Sequence, residues 1–185
     1  MNLGYVISVS IAGVILLMVA ALNLRVSRSS GEQTLYTMVQ SQSDLVSEFI
    51  SHDLRQMGYG VDGTFPITSA DSLHIRYLVH FDGDEDPTEI EWKFDPDPVP
   101  VKGNPELRPI YRIVDGDELH ISTAITSFRL TYLDGQRQPI ATEIQGLSGI
   151  RQIRIEFVTE SRETYSGGRF MTSTWTGEVT PFNLN

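Results

Sequence analysis

The sequence predicts an α+β protein, in which one long N-terminal helix packs against an antiparallel β-sheet. Three observations support this fold class. An uncharged apolar stretch opens the chain, a segment with apolar residues three and four apart follows it, and from Ile67 onward the apolar repeat shortens to two. The longer period is typical of helices, and the shorter one of strands with a single buried face. We therefore divide the chain into an apolar transmembrane or assembly helix over residues 1–30, an amphipathic helix over 31–60 and a sheet domain over 61–185.

The apolar stretch runs from Leu3 to Leu24 without a charged side chain, and Arg25 and Arg28 follow it. Its 22 residues form a helix of roughly 33 Å, enough to cross a hydrocarbon layer of about 30 Å. Three interpretations are open. A cleaved secretory signal normally begins with a basic region, which this stretch lacks, whereas a permanent anchor fits the length but would place the acidic domain in the cytoplasm under the positive-inside rule. The third interpretation is a processed segment whose basic leader has already been removed.

The composition of the apolar stretch favours contact with other helices over contact with lipid alone. Small and weakly polar residues lie among the aliphatic ones, and such residues let helix backbones approach closely. We predict that the helix assembles through seven residues: Leu3, Tyr5, Val6, Val9, Gly13, Leu16 and Leu17.

The second helical segment follows the polar run 27–31 (SRSSG), which we interpret as a helix end, a kink or a locally melted turn. Apolar residues recur at helical spacing from Leu35 until a run of glycines begins at Gly58. One continuous helix from Gly4 to Met57 would be roughly 80 Å long, far longer than one domain, so its first half must project. The second half is predicted to pack on the sheet through Phe49, Ile50, Leu54 and Met57.

Two hairpins are predicted in the first half of the sheet domain. Apolar and polar residues alternate in 73–81 (LHIRYLVHF) and in 88–94 (TEIEWKF), with an acidic connection between them. After a proline-rich loop, 109–114 (PIYRIV) and 118–122 (ELHIS) flank Asp115-Gly116, a strong local signal for a tight hairpin. Three later strands are predicted within 127–133, 150–161 and 169–179.

Charge and cysteine content argue against several classes of function. The net charge is -10, and residues 61–185 carry 20 acidic against 11 basic side chains. The two lysines, Lys93 and Lys102, do not form the basic cluster that nucleic acid binding requires, so we expect no nucleic acid partner. With no cysteine there is neither a disulfide framework nor thiolate chemistry. The sequence also lacks the common catalytic and cofactor motifs, which predicts a protein that is not an enzyme and needs no cofactor.

The acidic connection between the first two strands is a candidate metal site. Asp82, Asp84 and Asp86 could supply oxygen ligands for Ca²⁺, although a solvated hairpin tip is the simpler explanation. Near the end of the amphipathic segment, Arg55 is predicted to pair with a nearby carboxylate or to cap the last helical carbonyl groups. The four histidines lie far apart in the sequence and are interpreted as surface residues: His52, His74, His80 and His120.

Three short motifs occur in order along the chain. Residues 53–60 (DLRQMGYG) end the amphipathic segment, 128–135 (FRLTYLDG) and 150–155 (IRQIRI) form the late strands, and 179–184 (VTPFNL) lies at the C-terminus. Together they resemble the helix end, the paired late strands and the C-terminal ending of the type IV pilin and pseudopilin superfamily. Within it they are most similar to W-type minor pilins and J-type minor pseudopilins.

The resemblance implies a structural subunit of an extracellular filament, either a type IV pilus (fimbrium) with a role in cell adhesion or a type II secretion pseudopilus. It implies other pilin-like subunits as partners, in a homopolymer or heteropolymer, and a location in the bacterial inner membrane before assembly and at the cell surface or in the periplasm afterwards. Most members are made with a short basic leader and carry Glu at the fifth mature position, where this sequence has Tyr5. The alternative is a single-pass membrane-anchored binding protein whose acidic, β-rich domain does not polymerise.

Overall fold

The computed structural model describes residues 3–62, 65–81, 86–98, 102–140, 147–165 and 167–184. In these ranges the chain forms one α-helix, α1 (Leu3–Gln56), and a short 3₁₀ turn at Leu147–Gly149. The strands are β1 (Ile67–Ala70), β2 (His74–Val79), β3 (Thr88–Phe94), β4 (Arg108–Val114), β5 (Asp117–Leu133), β6 (Gln152–Tyr165) and β7 (Arg169–Val179). One long helix packed on an antiparallel sheet is the α+β arrangement that the sequence predicts.

The sheet is a simple meander. Over the described ranges, each strand pairs antiparallel with the next one along the chain, in the order β1 to β7. Both predicted hairpins are therefore present, β2 with β3 and β4 with β5. The second one turns at Asp115 and Gly116, whose φ angles of 48° and 90° suit the two-residue turn that matches the twist of paired strands.

The middle of the sheet contains one strand where the sequence predicts two. The segments 118–122 and 127–133 both belong to β5, which is 17 residues long. The pairing register of β5 with β6 shifts between Ile125 and Ser127. A bulge of this kind bends a strand without ending it, so the interrupted alternation does not mark a loop.

The helix is continuous through the polar run 27–31, so neither a helix end nor a locally melted turn occurs there. Thr34 Oγ1 donates a hydrogen bond to the carbonyl oxygen of Ser30 at 2.9 Å, and Thr37 Oγ1 donates one to Gln33 at 3.0 Å. Each hydroxyl finds its hydrogen-bond acceptor on the preceding helical turn, and the backbone hydrogen bonds of the helix remain intact. With 54 residues, α1 is roughly 80 Å long.

Only the second half of α1 packs on the sheet, where its most extensive contacts are with β5, β6 and β7. Ile50, Leu54 and Met57 are fully buried in the core, as predicted. Phe49 is the exception, because 49% of its surface is exposed and it lies outside the packed stripe. Successive helical residues differ by about 100° in direction, which places Phe49 beyond one edge of the buried stripe, on the side opposite Leu54. The buried stripe of α1 is Val39, Ser43, Val46, Ile50, Asp53 and Leu54.

The inner face of the sheet supplies the other half of the core. Along β2 and β3 every second residue is buried, including Tyr77 and Trp92. Aromatic rings stack across the sheet, with ring centroids 5.6 Å apart for Phe94 and Phe128, on β3 and β5, and 5.2 Å apart for Phe157 and Trp175, on the neighbouring strands β6 and β7. Pairs of this kind stabilise a core by about 0.5–1.5 kcal/mol beyond their buried area.

Gly58 makes the turn that carries the chain from α1 into the sheet. Its φ angle is +73°, and its N–H donates a hydrogen bond to the carbonyl oxygen of Leu78 at 3.0 Å. A Cβ added at this position would lie 2.8 Å from Pro66 Cγ. The glycine is therefore required both by the left-handed backbone and by the close approach of a neighbouring segment.

We expect Gly58→Ala to lower the free energy of unfolding by about 1–3 kcal/mol, because alanine is strained at this φ and collides with Pro66. Urea denaturation followed by circular dichroism measures the change. The matched control is Gly31→Ala, on the exposed part of α1, where an added Cβ meets nothing within 4 Å. That change should be neutral or favour the helix by about 1 kcal/mol. Equal losses for the two variants would contradict the proposed role of Gly58.

Candidate functional site

The first half of α1 is exposed along its whole length. Every residue from Leu3 to Gly31 is exposed, and Leu3 retains 75% of its accessible surface. Among the described residues, α1 is the one helix long and apolar enough to cross a membrane, with a mean hydropathy of 2.5 over its most apolar window. An apolar surface of this extent is unfavourable in water at about 25 cal/mol per Å², so it requires a lipid or protein environment.

The seven residues predicted for helix assembly all lie on this exposed half. The six with side chains are between 40% and 75% exposed: Leu3, Tyr5, Val6, Val9, Leu16 and Leu17. A Cβ placed at Gly13 would meet nothing within 4 Å, so a neighbouring helix could approach the backbone closely there. The site is therefore an apolar rod, Leu3–Leu24, with one position near its middle, Gly13, where no side chain projects.

The start of the rod differs from what the resemblance implies. The first turn of α1 contains no acidic residue, and Tyr5 is 72% exposed. A phenol carries no charge near neutral pH, so it cannot form the ion pair that a carboxylate at this position would make with a neighbouring chain. Apolar burial and close backbone contact are the remaining sources of affinity between such helices.

A buried polar cluster fixes the other end of α1 to the sheet. Asp53 is 5% exposed, and its Oδ2 accepts hydrogen bonds from Trp92 Nε1 at 3.0 Å and from Arg112 Nε at 2.5 Å. Trp92 and Arg112 are register partners on β3 and β4, so the sheet curls far enough for both strands to reach the helix. Charge-assisted bonds of this kind are about twice as strong as neutral ones. We call this cluster the Asp53 clamp.

Sequence reasoning missed the clamp because it assigned charge pairing to Arg55. Arg55 is exposed, and the ionic partner of Asp53 is Arg112, 59 positions further along the chain. A signal was nevertheless present. Asp53 occurs three residues after Ile50 and four before Met57, which places a carboxylate on the apolar stripe of the helix. A buried charge at such a position requires a partner from another element.

Tyr77 lies beside the clamp. Burial raises the pKa of its phenol well above the usual value, and the Asp53 carboxylate raises it further. The Tyr77 hydroxyl has no hydrogen-bond partner among the residues that the structure describes. The phenol therefore stays neutral, and the charge of Asp53 is balanced by the Arg112 guanidinium.

A cleft of about 1140 Å³ opens where α1 leaves the sheet. Its walls are residues 28–42 of α1, the middle of β5 and the paired ends of β6 and β7. Apolar and charged side chains are mixed on these walls, for example Leu35, Met38 and Arg162. The cleft is thus a junction between the projecting rod and the sheet domain.

The pairing of β6 with β7 is irregular near the end of the hairpin that the two strands form. The register shifts between Glu160 and Thr164, where Ser161 Oγ donates to the carbonyl oxygen of Glu163 at 2.7 Å and accepts from the Met171 N–H at 2.9 Å. Beyond this bulge, the Arg169 guanidinium carbon lies 5.2 Å from the centroid of the Tyr165 ring. The bulge and the stacked arginine hold the end of the hairpin in a defined shape beside α1.

The candidate metal and histidine residues are scattered. Asp82 and Asp84 lie outside the described residues, and Asp86 is exposed. Within the described ranges there is no group of three or more His, Cys, Asp or Glu side chains that could hold a metal ion. His74 Nδ1 contacts Asp71 Oδ2 at 2.7 Å, which is a local pair beside the turn between β1 and β2. The Ca²⁺ site stays a prediction.

The site thus has three parts: the exposed rod Leu3–Leu24, the Asp53 clamp at the far end of the same helix, and the cleft between them. One continuous helix links all three. No family model matches this chain, and no curated protein matches it.

Proposed function

We propose that the protein is a structural subunit of an extracellular filament of the pilus or pseudopilus kind, assembled through Leu3–Leu24. The single observation that carries the proposal is a continuous helix with an exposed, uncharged first half and a second half buried under a sheet. Packing the rods of many subunits side by side would bury their apolar surfaces and leave the acidic sheet domains outside. Because rod and domain share one helix, a bundle of rods would also fix the position of each domain.

Two further features support this proposal over other uses of an apolar helix. The motifs in 53–60, 128–135, 150–155 and 179–184 resemble those of pilins and pseudopilins, and the Asp53 clamp gives the first motif a physical purpose. A helix that must transmit load needs a firm attachment to its domain, and a buried charge pair resists sliding better than apolar contacts alone. The partners would be other pilin-like subunits. Before assembly the chain would reside in the bacterial inner membrane, and it would then enter a filament at the cell surface or in the periplasm.

The test is the location of the full chain in cells that carry their native filament system. We expect filaments sheared from the cell surface to contain the protein, with single cysteines at Val9 or Leu16 forming crosslinks between subunits. The native chain contains no cysteine, so each introduced thiol reports on one position. A cysteine at exposed Glu118 on β5 is the control and should give no rod-to-rod crosslink. Recovery of the protein only in washed membranes would contradict the filament proposal.

The second candidate is a membrane-anchored binding protein that does not polymerise. The lack of an acidic residue in the first turn of α1 favours it, because a solitary anchor has no need for a carboxylate at Tyr5. The cleft between α1 and the hairpin end would then be the place where the domain contacts a ligand. Membrane recovery without crosslinks at Val9 or Leu16 is the outcome expected for this candidate.

A further inference from the structure

Three polar side chains of the β1–β2 hairpin are linked by hydrogen bonds. Ser69 Oγ lies 2.9 Å from His74 Nε2, and His74 Nδ1 lies 2.7 Å from Asp71 Oδ2. Ser69 belongs to β1, His74 is the first residue of β2, and Asp71 lies in the turn between the two strands. A serine, a histidine and a carboxylate that contact one another in this order can activate the serine hydroxyl as a nucleophile. We call these three residues the Ser69 triad.

The hydrogen-bonding capacity of each group determines where the protons of the Ser69 triad lie. A carboxylate only accepts, so His74 Nδ1 must carry the hydrogen that is donated to Asp71. A neutral imidazole then has its lone pair at Nε2, so the Ser69 hydroxyl donates to it. The hydroxyl proton therefore points at a base that is close enough to accept it.

The Asp71 carboxylate is itself fixed by the backbone of the turn. Its Oδ1 accepts hydrogen bonds from the N–H groups of Leu73 at 2.6 Å and His74 at 2.8 Å. Burial alone would raise the pKa of this carboxyl, but the two amide hydrogen bonds and the neighbouring imidazole together lower the pKa below its ordinary value. Asp71 is therefore an anion at neutral pH, and its free oxygen orients the imidazole ring.

The turn that carries Asp71 and His74 is attached to the sheet through its carbonyl groups. The Tyr132 hydroxyl donates to the carbonyl oxygens of Asp71 at 2.9 Å and His74 at 3.1 Å. The carbonyl oxygen of Ser72 accepts from the N–H of Leu130 at 2.8 Å. Tyr132 is 2% exposed, so this attachment belongs to the core. The base and the carboxylate are thus held in one geometry by a rigid element.

The surroundings of the Ser69 triad restrict the kind of substrate that it could accept. The His74 side chain is 27% exposed and Ser69 is partly exposed, so a small molecule can reach both. Three carboxylates and two cationic groups lie on the triad and the adjoining register positions: Asp71, Glu89, Glu91, Arg76 and Lys93. This balance does not attract an anion, and an open sheet surface gives a long acyl chain little to bind. A short, uncharged ester fits best.

The edge position of β1 supplies a donor for the charge that develops on the ester oxygen. The Asp71 N–H donates to the carbonyl oxygen of His74 at 2.9 Å, so antiparallel geometry directs the N–H of the preceding residue, Ala70, away from β2. Over the described ranges β1 is an edge strand of the sheet. The N–H of the residue after a nucleophile is a common oxyanion donor, and one such donor is worth about 10²–10³ in rate.

We propose that Ser69 is the nucleophile of an acyl-transfer site that cleaves short, uncharged esters, with His74 as its general base and Asp71 as a positioning residue. Ser69 Oγ attacks the carbonyl carbon while its proton moves to His74 Nε2. The bond between this carbon and the alcohol oxygen breaks, and the alcohol leaves with that proton. Water, deprotonated by the same imidazole, then hydrolyses the acyl group from Ser69. This activity departs from the sequence-based prediction of a protein that is not an enzyme, and it does not depend on the rod.

The test uses the full chain in detergent micelles with p-nitrophenyl acetate as the probe. We expect release of p-nitrophenolate and an acetyl group on Ser69, located by mass spectrometry of the digested protein. His74→Gln should lower the rate of Ser69 acetylation about 10²–10⁴-fold, the usual contribution of a general base. The matched controls are Ser72→Ala, an exposed serine of the same turn, and His120→Gln, an exposed histidine of β5. Both should react as the native chain does.

The role of Asp71 has a readout of its own. In the native chain we expect the ¹⁵N chemical shifts of the His74 ring to show a protonated Nδ1 and an unprotonated Nε2. Asp71→Asn should remove this fixed tautomer and slow Ser69 acetylation together, because an amide does not select Nδ1–H as a carboxylate does. An unchanged tautomer with a slower reaction would contradict the positioning role.

The native chain alone can overturn the proposal, whether or not a variant folds. Acetyl groups found only on lysines of the folded chain, or equally on Ser69 and Ser72, would show that Ser69 is not activated. Equal acetylation of Ser69 in the folded chain and in urea would show the same, because the triad depends on the folded hairpin. Either result would leave the filament proposal standing, since crosslinking of the rod tests that proposal separately.

Discussion

Asp53→Ala is expected to lower the free energy of unfolding by about 3–5 kcal/mol, because it leaves the Trp92 indole N–H and the Arg112 guanidinium without their partner in the core. The total stability of a domain is typically 5–15 kcal/mol, so this single change removes a large share of it. Urea denaturation followed by tryptophan fluorescence measures the loss. Trp92 is fully buried beside the replaced carboxylate, so its emission also reports on local hydration.

The matched control is Asp44→Ala, the same replacement one face away on the same helix. Asp44 is exposed and accepts one hydrogen bond from Gln40 Nε2 at 3.0 Å, so its loss should cost only about 0.2–0.5 kcal/mol. A double-mutant cycle that combines Asp53→Ala with Arg112→Ala isolates the pair itself. We expect a coupling of about 0.5–3 kcal/mol, because the second replacement removes a charge that the first has already left unpaired. Additive losses would show that the clamp does not act as a unit.

Val14→Asp is expected to abolish stable insertion of the rod while leaving the sheet domain folded. Val14 lies near the middle of the apolar stretch, where an aspartate costs about 2.5–3.5 kcal/mol in a membrane. That cost corresponds to roughly 100-fold or more in the partition between membrane and water. Carbonate extraction of membranes, followed by immunoblotting, measures the fraction of protein that remains inserted.

Val14→Leu is the control for this change, since it keeps the position apolar and should leave insertion intact. The melting temperature of the sheet domain should be the same for both variants, because Val14 is 51% exposed and belongs to the unpacked half of α1. Full retention of the Val14→Asp chain in extracted membranes would contradict insertion through Leu3–Leu24. A lowered melting temperature would instead show that the rod contributes to folding of the domain.

Both predictions concern one helix, yet they test different interactions: apolar contact in the rod and a buried charge in the clamp. The rod acts through its lack of charge, since every lipid or helix neighbour must be apolar or small. The clamp acts through one buried charge, which is stable only because Arg112 and Trp92 meet it with the right geometry. Damage to the rod should therefore prevent insertion and assembly of a folded domain, whereas damage to the clamp should unfold the domain.

The helix and most strands could be predicted from the sequence because their signals are local. The repeat of apolar residues from Leu35 onward depends on neighbours within one turn, and the alternation in 88–94 depends on neighbours two residues away. The tight turn at Asp115-Gly116 is likewise determined by two residues that tolerate positive φ. Each of these features forms in any fold that buries one face of the element.

The candidate site was predicted only in part, and the reason is again the range of the interactions. All seven rod residues lie on the exposed half of α1, because a long uncharged stretch cannot be buried by a domain this small. Phe49 was assigned to the packed stripe although it faces away from it, because spacing alone gives a helical face only to within about one residue.

The sequence by itself determined that this protein has a long helix with an apolar first half and an antiparallel sheet after it, since periodicity and charge act between near neighbours. Only the tertiary structure decided which carboxylate meets which arginine, that β5 is one strand, and that Arg162 lines the same cleft as Arg28. Those juxtapositions join residues far apart in the chain, and they depend on the register and curl of the whole sheet. No local pattern specifies that geometry, because it results from packing the curled sheet as a whole against the second half of α1.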